Sequence, residues 1–400
     1  MTGQGDGAAL GRLRDRISEE LARLLDARRP DTRAVVLGAG SDDIESGRRF
    51  LRVLAGGGYA VPTWPVEHGG MGLAPAEAEV VSEVLAGLET PDLYPFLVGL
   101  GLIGPTILAH GTDSQKRLWL PPMRSGDEIW CQMFSEPDAG SDLANLSTRA
   151  ARDGDVWRLT GSKVWTSRAH YSRWGMLLAR SDPSVPKHAG ITAFAVDMGA
   201  PGVTVRPLAQ MNGDTHFNEV FLDDVVIPDG DRIGGVDDGW RVGLTTLGHE
   251  RGSLAGDLGV SLDQLLGLAA AHDLGTVMGG RDRLARCVID LKLTQWNTAR
   301  ARAARQADGS PGPEDSAAKL RTNRMVKSVA SLAVDLEGAA ATVGADQPDD
   351  WQTMWLAAPS LSIRGGTDEI QHNIVGERVL GLAPDPRVDK GVPFSERPRP

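Results

Sequence analysis

Val156-Trp-Arg-Leu-Thr-Gly-Ser-Lys-Val-Trp-Thr-Ser167 decides the fold class of this 400-residue chain. Apolar and polar residues alternate through it, and Thr160-Gly161 interrupts the run. The stretch therefore reads as a β-hairpin bent near that dipeptide, with Trp165, Thr166 and Ser167 delivered at the end of a strand. Working outward, the same texture recurs between Glu128 and Pro228. Ile191 to Val196, Val203 to Arg206 and Val220 to Val226 are short runs separated by Gly, Pro and Asp turns. The flanks differ. Leu10 to Arg28, Asp42 to Leu54 and Pro75 to Ala86 carry apolar residues at three- and four-residue spacing, which predicts helices. Tyr94 to Ala109 is apolar but too short to span a bilayer and reads as a buried helical segment. After Asp237-Asp238-Gly239, helical spacing returns through Arg305, breaks at Asp308 to Pro313, and resumes over Ser316 to Thr342 and Thr367 to Leu380. Helices, then strands, then helices is a segregated order, so the fold class is α+β. The expected division is a helical domain at 1–127, a β domain at 128–236, a helical domain at 237–385 and a tail at 386–400.

Charge and motifs narrow the function. With 42 basic against 53 acidic residues the net charge is -11, so the surface repels phosphate backbones and anionic lipid, and neither nucleic acid nor membrane insertion is expected. Cys131 and Cys287 are too few and too far apart for a disulfide framework or a Cys-based zinc site, which suggests a reducing, cytoplasmic setting. Met1 to Ala9 lacks the basic and apolar regions of a signal peptide. Gly99-Leu-Gly101-Leu-Ile-Gly104 fits a dinucleotide pattern, but Pro105 follows and no βαβ context surrounds it, so helix packing explains it better. His249-Glu250 begins like H-E-x-x-H, yet Ser253 holds the second His position; no metal is expected. The absence of a phosphate-cradling P-loop and of a G-x-S-x-G elbow removes phosphoryl transfer and serine hydrolysis.

Two segments carry chemistry. Cys131-Gln-Met-Phe-Ser135-Glu136-Pro-Asp-Ala-Gly140-Ser141-Asp142 can aim N–H and O–H donors at an anionic or carbonyl-rich ligand, although taken alone such a segment is more often a plain surface turn. Trp165 beside Thr166 and Ser167 suits a flat heteroaromatic cofactor, or a core Trp next to exposed hydroxyls. Read together with Leu159-Thr-Gly-Ser-Lys-Val-Trp-Thr-Ser167, with Trp64-Pro-Val-Glu-His-Gly-Gly-Met-Gly72, with Phe217-Asn-Glu-Val-Phe-Leu-Asp-Asp-Val-Val-Ile-Pro228 and with Gly365-Gly-Thr-Asp-Glu-Ile-Gln-His-Asn-Ile-Val-Gly-Glu-Arg-Val-Leu-Gly-Leu382, these segments resemble the successive signatures of the acyl-CoA dehydrogenase family, in the family's order from about residue 45 to 385.

The resemblance implies an N-terminal helical domain, a middle β-barrel and a C-terminal four-helix bundle, with FAD between barrel and bundle. It implies that Gln132, Phe134, Ser135, Gly140 and Ser141 meet the isoalloxazine and the acyl-CoA, that Trp165, Thr166 and Ser167 pack on the flavin, and that Thr367 and Glu369 reach FAD. Thr367 is also a good N-cap in its own right, and Asp368 and Glu369 suit a helix dipole without any ligand. An electron-transfer flavoprotein or similar acceptor is the implied redox partner.

Dehydrogenating a thioester requires a carboxylate at C2 in a dry pocket. Many members carry it in a Tyr-Glu-Gly-Thr segment before the last helix, but here Ile363-Arg-Gly365-Gly366-Thr367 puts glycine at the carboxylate position. A second set, including isovaleryl- and long-chain-type enzymes, places a Glu-Arg pair on the first bundle helix, which Leu247-Gly-His-Glu250-Arg251-Gly-Ser-Leu254 fits. Glu250 borders an apolar stripe, three residues after Leu247 and four before Leu254, where partial burial favours a general base. Arg251 is expected near the substrate, and the Gly365 N–H can polarise the thioester carbonyl. Small residues at Gly252, Ser253, Gly256 and Gly365 favour a branched, cyclic or bulky acyl group. Many members have Arg-x-x-Phe-Gly on the next helix, reaching a neighbouring subunit's FAD; Ala271-His-Asp-Leu-Gly275-Thr-Val-Met-Gly-Gly280 lacks that Arg and Phe. A homodimer or homotetramer is expected, with a paralogous partner chain as the alternative. A same-fold flavoenzyme acting on a nitroalkane or amine, and a non-catalytic subunit without FAD, are the competing readings.

Overall fold

Apolar stripes at helical spacing build the first layer. In the computed structural model, which describes residues 3–24, 43–88, 90–254, 260–308, 312–342, 350–386 and 389–397, α1 (Gly3–Leu24) buries Leu13, Ile17 and Leu21 in one cluster with Val80 and Val81 of α3 (Pro75–Ala86). Positions 25–28 of the expected first helix lie outside the described residues. Between them α2 (Ile44–Gly56) starts where the Asp43 side chain accepts a hydrogen bond from the Ser46 N–H at 3.1 Å. The apolar run after α3 is helical as expected: α4 (Tyr94–Leu97), a π-helical stretch (Val98–Ile103) and α5 (Gly104–His110). Its glycines serve close packing. A Cβ on Gly104 would lie 2.1 Å from the Trp64 ring, and one on Gly99 would lie 3.2 Å from Met123 on α6 (Asp113–Arg124).

The middle of the chain forms β1 (Trp130–Met133), β2 (Arg149–Asp153), β3 (Val156–Ser167), β4 (Trp174–Arg180), β5 (Ile191–Asp197), β6 (Val203–Leu208), β7 (Phe217–Pro228) and β8 (Arg232–Ile233). The strand order is β6-β7-β3-β2-β4-β5-β8, with β1 paired to β4. The expected barrel is thus realised as one sheet whose described pairings end at β6 and β8. The hairpin expected within Val156 to Ser167 is not formed, because β3 runs unbroken through it. The bend lies one element earlier, at Gly154 (φ 64) between β2 and β3. Gly161 instead marks a bulge: the register against β7 shifts there, and a Cβ would meet Thr148 Oγ1 at 2.5 Å. A glycine inside an alternating run signals a turn or a bulge alike, and periodicity does not separate the two.

The last third is helical: α7 (Gly239–Leu254), α8 (Leu262–Ala271), α9 (Gly280–Asp308), α10 (Glu314–Glu337), α11 (Asp350–Ala357) and α12 (Asp368–Ile374). The break expected after Asp308 falls between α9 and α10, with residues 309–311 outside those described. α10 is central, packing on α7, α8, α9, α11 and α12 and burying Met325, Val326, Val329, Ala330 and Ala333. A second core joins the other layers: Trp119 of α6, Trp130, Met176 and Leu178 of the sheet, and Val242 of α7 share one cluster. The tail folds back onto the sheet domain. Phe394 and Ser395 donate backbone hydrogen bonds to the carbonyls of Val185 and Pro183, both at 2.9 Å, and the Arg180 guanidinium stacks 4.0 Å over the Phe394 ring. Among the described residues no helix is long and apolar enough to cross a membrane.

Candidate active site

Two centres contain the residues singled out in the sequence. The first is the loop after β1, held from below by a buried ion pair. Lys163 on β3, fully buried, reaches Glu136 Oε1 at 2.7 Å and the Phe134 carbonyl at 3.0 Å. Glu136 also accepts from the Ser147 N–H (2.7 Å), the Ser147 hydroxyl (3.0 Å) and the Thr148 N–H (2.9 Å). Burial alone would raise the Glu136 carboxyl, but the Lys163 ammonium and these donors outweigh it and hold it below the usual carboxylate range. Neither Lys163 nor Glu136 was singled out from sequence as a site residue. A signal existed for the lysine: the inward face of β3 runs Trp157, Leu159, Gly161, Lys163, and a charge on a buried face demands a partner.

On this support, the Val164 N–H bonds the Ser135 carbonyl at 2.9 Å and sets the end of β3 beside the loop. Trp165 follows at φ 58, an uncommon conformation for a bulky residue, and its indole is 60% exposed. Ser135 and Ser167 are half-buried, Gln132 likewise, and Gly140 and Ser141 are exposed. A Cβ on Gly140 would meet nothing within 4 Å. Phe134 and Thr166 are different. The Phe134 ring belongs to the core shared by helices and sheet, and Thr166 is fully buried, so both offer a ligand only their backbones. An exposed indole, packed edge-on against Phe217 and followed in sequence by the half-buried Ser167, fits a flat heteroaromatic ring such as a flavin.

The second centre lies where α7 and α10 meet the turn before α12. Lys319, Asn323 and Lys327 are spaced four residues apart and so share one face of α10. Lys319 Nζ donates to the Arg364 carbonyl at 2.6 Å and to the Gly366 carbonyl. Asn323 donates to the Leu361 carbonyl (2.9 Å) and to Asp368 (2.7 Å), and Lys327 donates to Ser362 Oγ at 2.5 Å. Gln371 donates to the Gly365 and Gly366 carbonyls at 3.2 and 3.3 Å. Gly365 (φ 62) and Gly366 (φ 86) take the left-handed conformation that glycine adopts without a Cβ penalty. Thr367 caps α12 as expected, accepting from the Ile370 N–H at 3.3 Å, while Glu369 is exposed, its carboxyl held low by its own N–H and by the Thr367 hydroxyl.

Glu250 is half-buried on α7, one turn after Leu247, which packs on the shared core. α7, which bears Glu250, packs on α10, which bears Lys319, and the Glu250 charge favours the Lys319 ammonium. Burial brings that ammonium down to about 8, with Asp368 and Glu250 pulling upward and Arg364 adding to the fall. Arg251 continues the helix, but the side chains of Arg251 and Ser253, the surroundings of Gly252 and all of Gly256 lie outside what the structure describes. The segment from His272 to Gly279 forms turns leading into α9, with Met278 almost fully exposed.

A helical layer, a sheet domain whose β3 ends in an exposed indole, and a helical bundle with a half-buried carboxylate make up the three-part architecture. The chain matches the family models for the acyl-CoA dehydrogenase N-terminal domain over residues 18–127, the middle domain over 131–225 and the C-terminal domain over 237–380, and it belongs to the acyl-CoA dehydrogenase family. It is 39% identical to acyl-CoA dehydrogenase IpdE1 of Mycobacterium tuberculosis across 95% of this chain and 97% of that protein. It is 40% identical to acyl-CoA dehydrogenase FadE34 of the same organism across 82% of this chain, an alignment that spans only 45% of FadE34. Among solved structures it resembles the Tcur3481-Tcur3483 steroid ACAD, with a TM-score of 0.78 and 29% identity over 94% of this chain and 98% of that one.

Proposed function

We propose that this protein is an FAD-dependent acyl-CoA dehydrogenase that converts an acyl-CoA thioester to the trans-2-enoyl-CoA, with Glu250 taking the C2 proton. The observation that carries this reading is the Gly365-Gly366 turn tied by Lys319 to α10, the helix that packs on the Glu250-bearing α7. When bound, FAD supplies the acceptor for the hydride that leaves C3. Gln132, Ser135, Gly140, Ser141, Trp165, Ser167, Thr367 and Glu369 would hold it through side chains or exposed backbone, and Phe134 and Thr166 through backbone alone. Gly365 would donate its N–H to the thioester carbonyl, which acidifies the C2 proton by stabilising the developing enolate. Ser141 and Arg251 are the further substrate contacts. Glu250 is half-buried on α7, and partial removal from water suits a carboxylate that must take a proton from so weak an acid.

The substrate is proposed to be branched or ring-bearing. Gly365 leaves open the volume that a Glu side chain would fill, and the similarity to a steroid ACAD points the same way. An electron-transfer flavoprotein or similar carrier is the proposed acceptor, the cytoplasm the proposed location, and a homo-oligomer the proposed assembly. A second reading, in which a paralogous chain completes the FAD site, is supported by the turn at His272 to Gly279 standing where relatives carry Arg-x-x-Phe-Gly.

The test is anaerobic flavin bleaching by a panel of straight, branched and polycyclic CoA thioesters. Wild type should bleach fastest with the bulky members. Glu250→Gln, nearly isosteric and lacking only the basic oxygen, should keep the flavin spectrum and lose reduction. Bleaching at wild-type rate in that variant would sink the assignment.

A further inference from the structure

We propose that Lys319 is a positioning residue for the reaction, an ammonium on α10 that fixes the thioester-binding turn against the bundle. This inference rests on Glu250 being the base. The turn's acceptors are all occupied: the Arg364 carbonyl by Lys319, the Gly365 carbonyl by Gln371, and the Gly366 carbonyl by both. Its Gly365 N–H has no acceptor among the described residues. A turn whose carbonyls are tied down on one side and whose central N–H is left over is built to donate to something not in the chain. Lys319 supplies the only charge-assisted hydrogen bonds among these, and such bonds are about twice as strong as neutral ones. One ammonium therefore sets the pose of the oxyanion donor.

The groups that face Lys319 make the device sensitive to pH. Asp368 at the start of α12 and Glu250 on α7 favour the ammonium, Arg364 in the turn opposes it, and burial opposes it most, which leaves it near about 8. Below that pH the ammonium makes both carbonyl hydrogen bonds and attracts Glu250; above it the neutral amine has lost the charge and holds both more weakly. Flavin reduction in wild type should then fall as pH rises through about 8.

The experiment measures single-turnover flavin reduction against pH for wild type, Lys319→Met, Lys319→Arg and Glu250→Gln, each checked for flavin absorbance. Lys319→Met should hold flavin, lose on the order of 10²-fold in reduction rate at saturating thioester, as displacements of about an ångström do, and lose the limb near 8. Lys319→Arg, charged at every pH tested, should recover most of the rate and also lack the limb. A Lys319→Met enzyme with the wild-type rate and limb overturns the proposal. So does a Lys319→Arg enzyme that retains a limb near 8, and this second criterion decides alone should Lys319→Met not fold. If Glu250→Gln reduces flavin normally, the base assignment falls. If Glu250→Gln is inactive while the lysine variants behave as wild type, only the role of Lys319 falls.

Discussion

Glu136→Gln should loosen the loop that carries Ser135, Gly140 and Ser141, and it should do so more severely than removal of its partner lysine. The structure supplies the reason. Each carboxylate oxygen accepts from a backbone N–H, Oε2 from Ser147 and Oε1 from Thr148, and Oε1 also takes the Lys163 ammonium. An amide in either orientation sets its NH2 against one of those N–H donors, and it removes the negative charge that compensates a fully buried ammonium. Breaking a buried pair from one side costs about 3–5 kcal/mol. Lys163→Met leaves the carboxylate with three of its four donors, so its cost should sit at or below the bottom of that range.

Hydrogen exchange reads this locally. At 1.4 kcal/mol per factor of ten, the loss of about 3–5 kcal/mol should lower protection of the Ser147 and Thr148 amides by roughly 100- to 4,000-fold in Glu136→Gln, and flavin should be lost on dilution. The pH dependence has a definite sign. Because the folded-state Glu136 carboxyl lies below its usual value, the stability it contributes is present above the ordinary carboxylate range and disappears as pH falls through the folded value. Wild type should therefore show an acid-induced loss of loop protection that Glu136→Gln lacks. Protection within threefold of wild type in Glu136→Gln, or greater damage from Lys163→Met, would refute the reasoning.

Trp165→Gly should separate binding from stability: relief of the strained φ offsets the glycine's entropy cost, leaving stability within about 1 kcal/mol, while loss of the exposed indole weakens flavin retention by roughly tenfold in a dilution assay. Expressed alone, the chain should run as a dimer or tetramer with one flavin per subunit by light scattering and absorbance; a folded, flavin-free protein that gains FAD only with a paralogous chain would support the two-chain reading instead.

Much of the fold was legible because burial imposes a period. Pro75 to Ala86 is read with the same ends in sequence and structure, since Pro75 at its start and Gly87 after it punctuate an apolar stripe. The strands β5 to β7 stand where alternation placed them. Gly161 misled because its role is set by Thr148, a residue on another element. Phe134 and Thr166 lie inside signature segments yet point into the core, since a motif lists neighbours in sequence and the pleat sends alternate side chains to opposite faces. Thr367 was the reverse case, a cap that its local sequence sufficed to predict.

Lys319 and the tail show where such reading ends. The local pattern around Lys319 is that of any amphipathic helix, and its meaning comes from carbonyls about 45 residues further on. Similarly, Asp142 closes the signature loop, but what holds it is Lys187 at 2.9 Å, itself bridged to Asp389 at 2.7 Å, with Arg397 pairing Asp389 and reaching Asn145 at 2.7 Å. The loop that presents Gly140 and Ser141 is thus tied down at one end by a buried pair within the sheet and at the other by the end of the chain. Residues that would touch a ligand are selected for their own chemistry, which short segments display. Residues that keep the first set in place are selected for reach and charge across the fold, which only a folded chain displays, and in this protein they are the lysines at 163, 187 and 319.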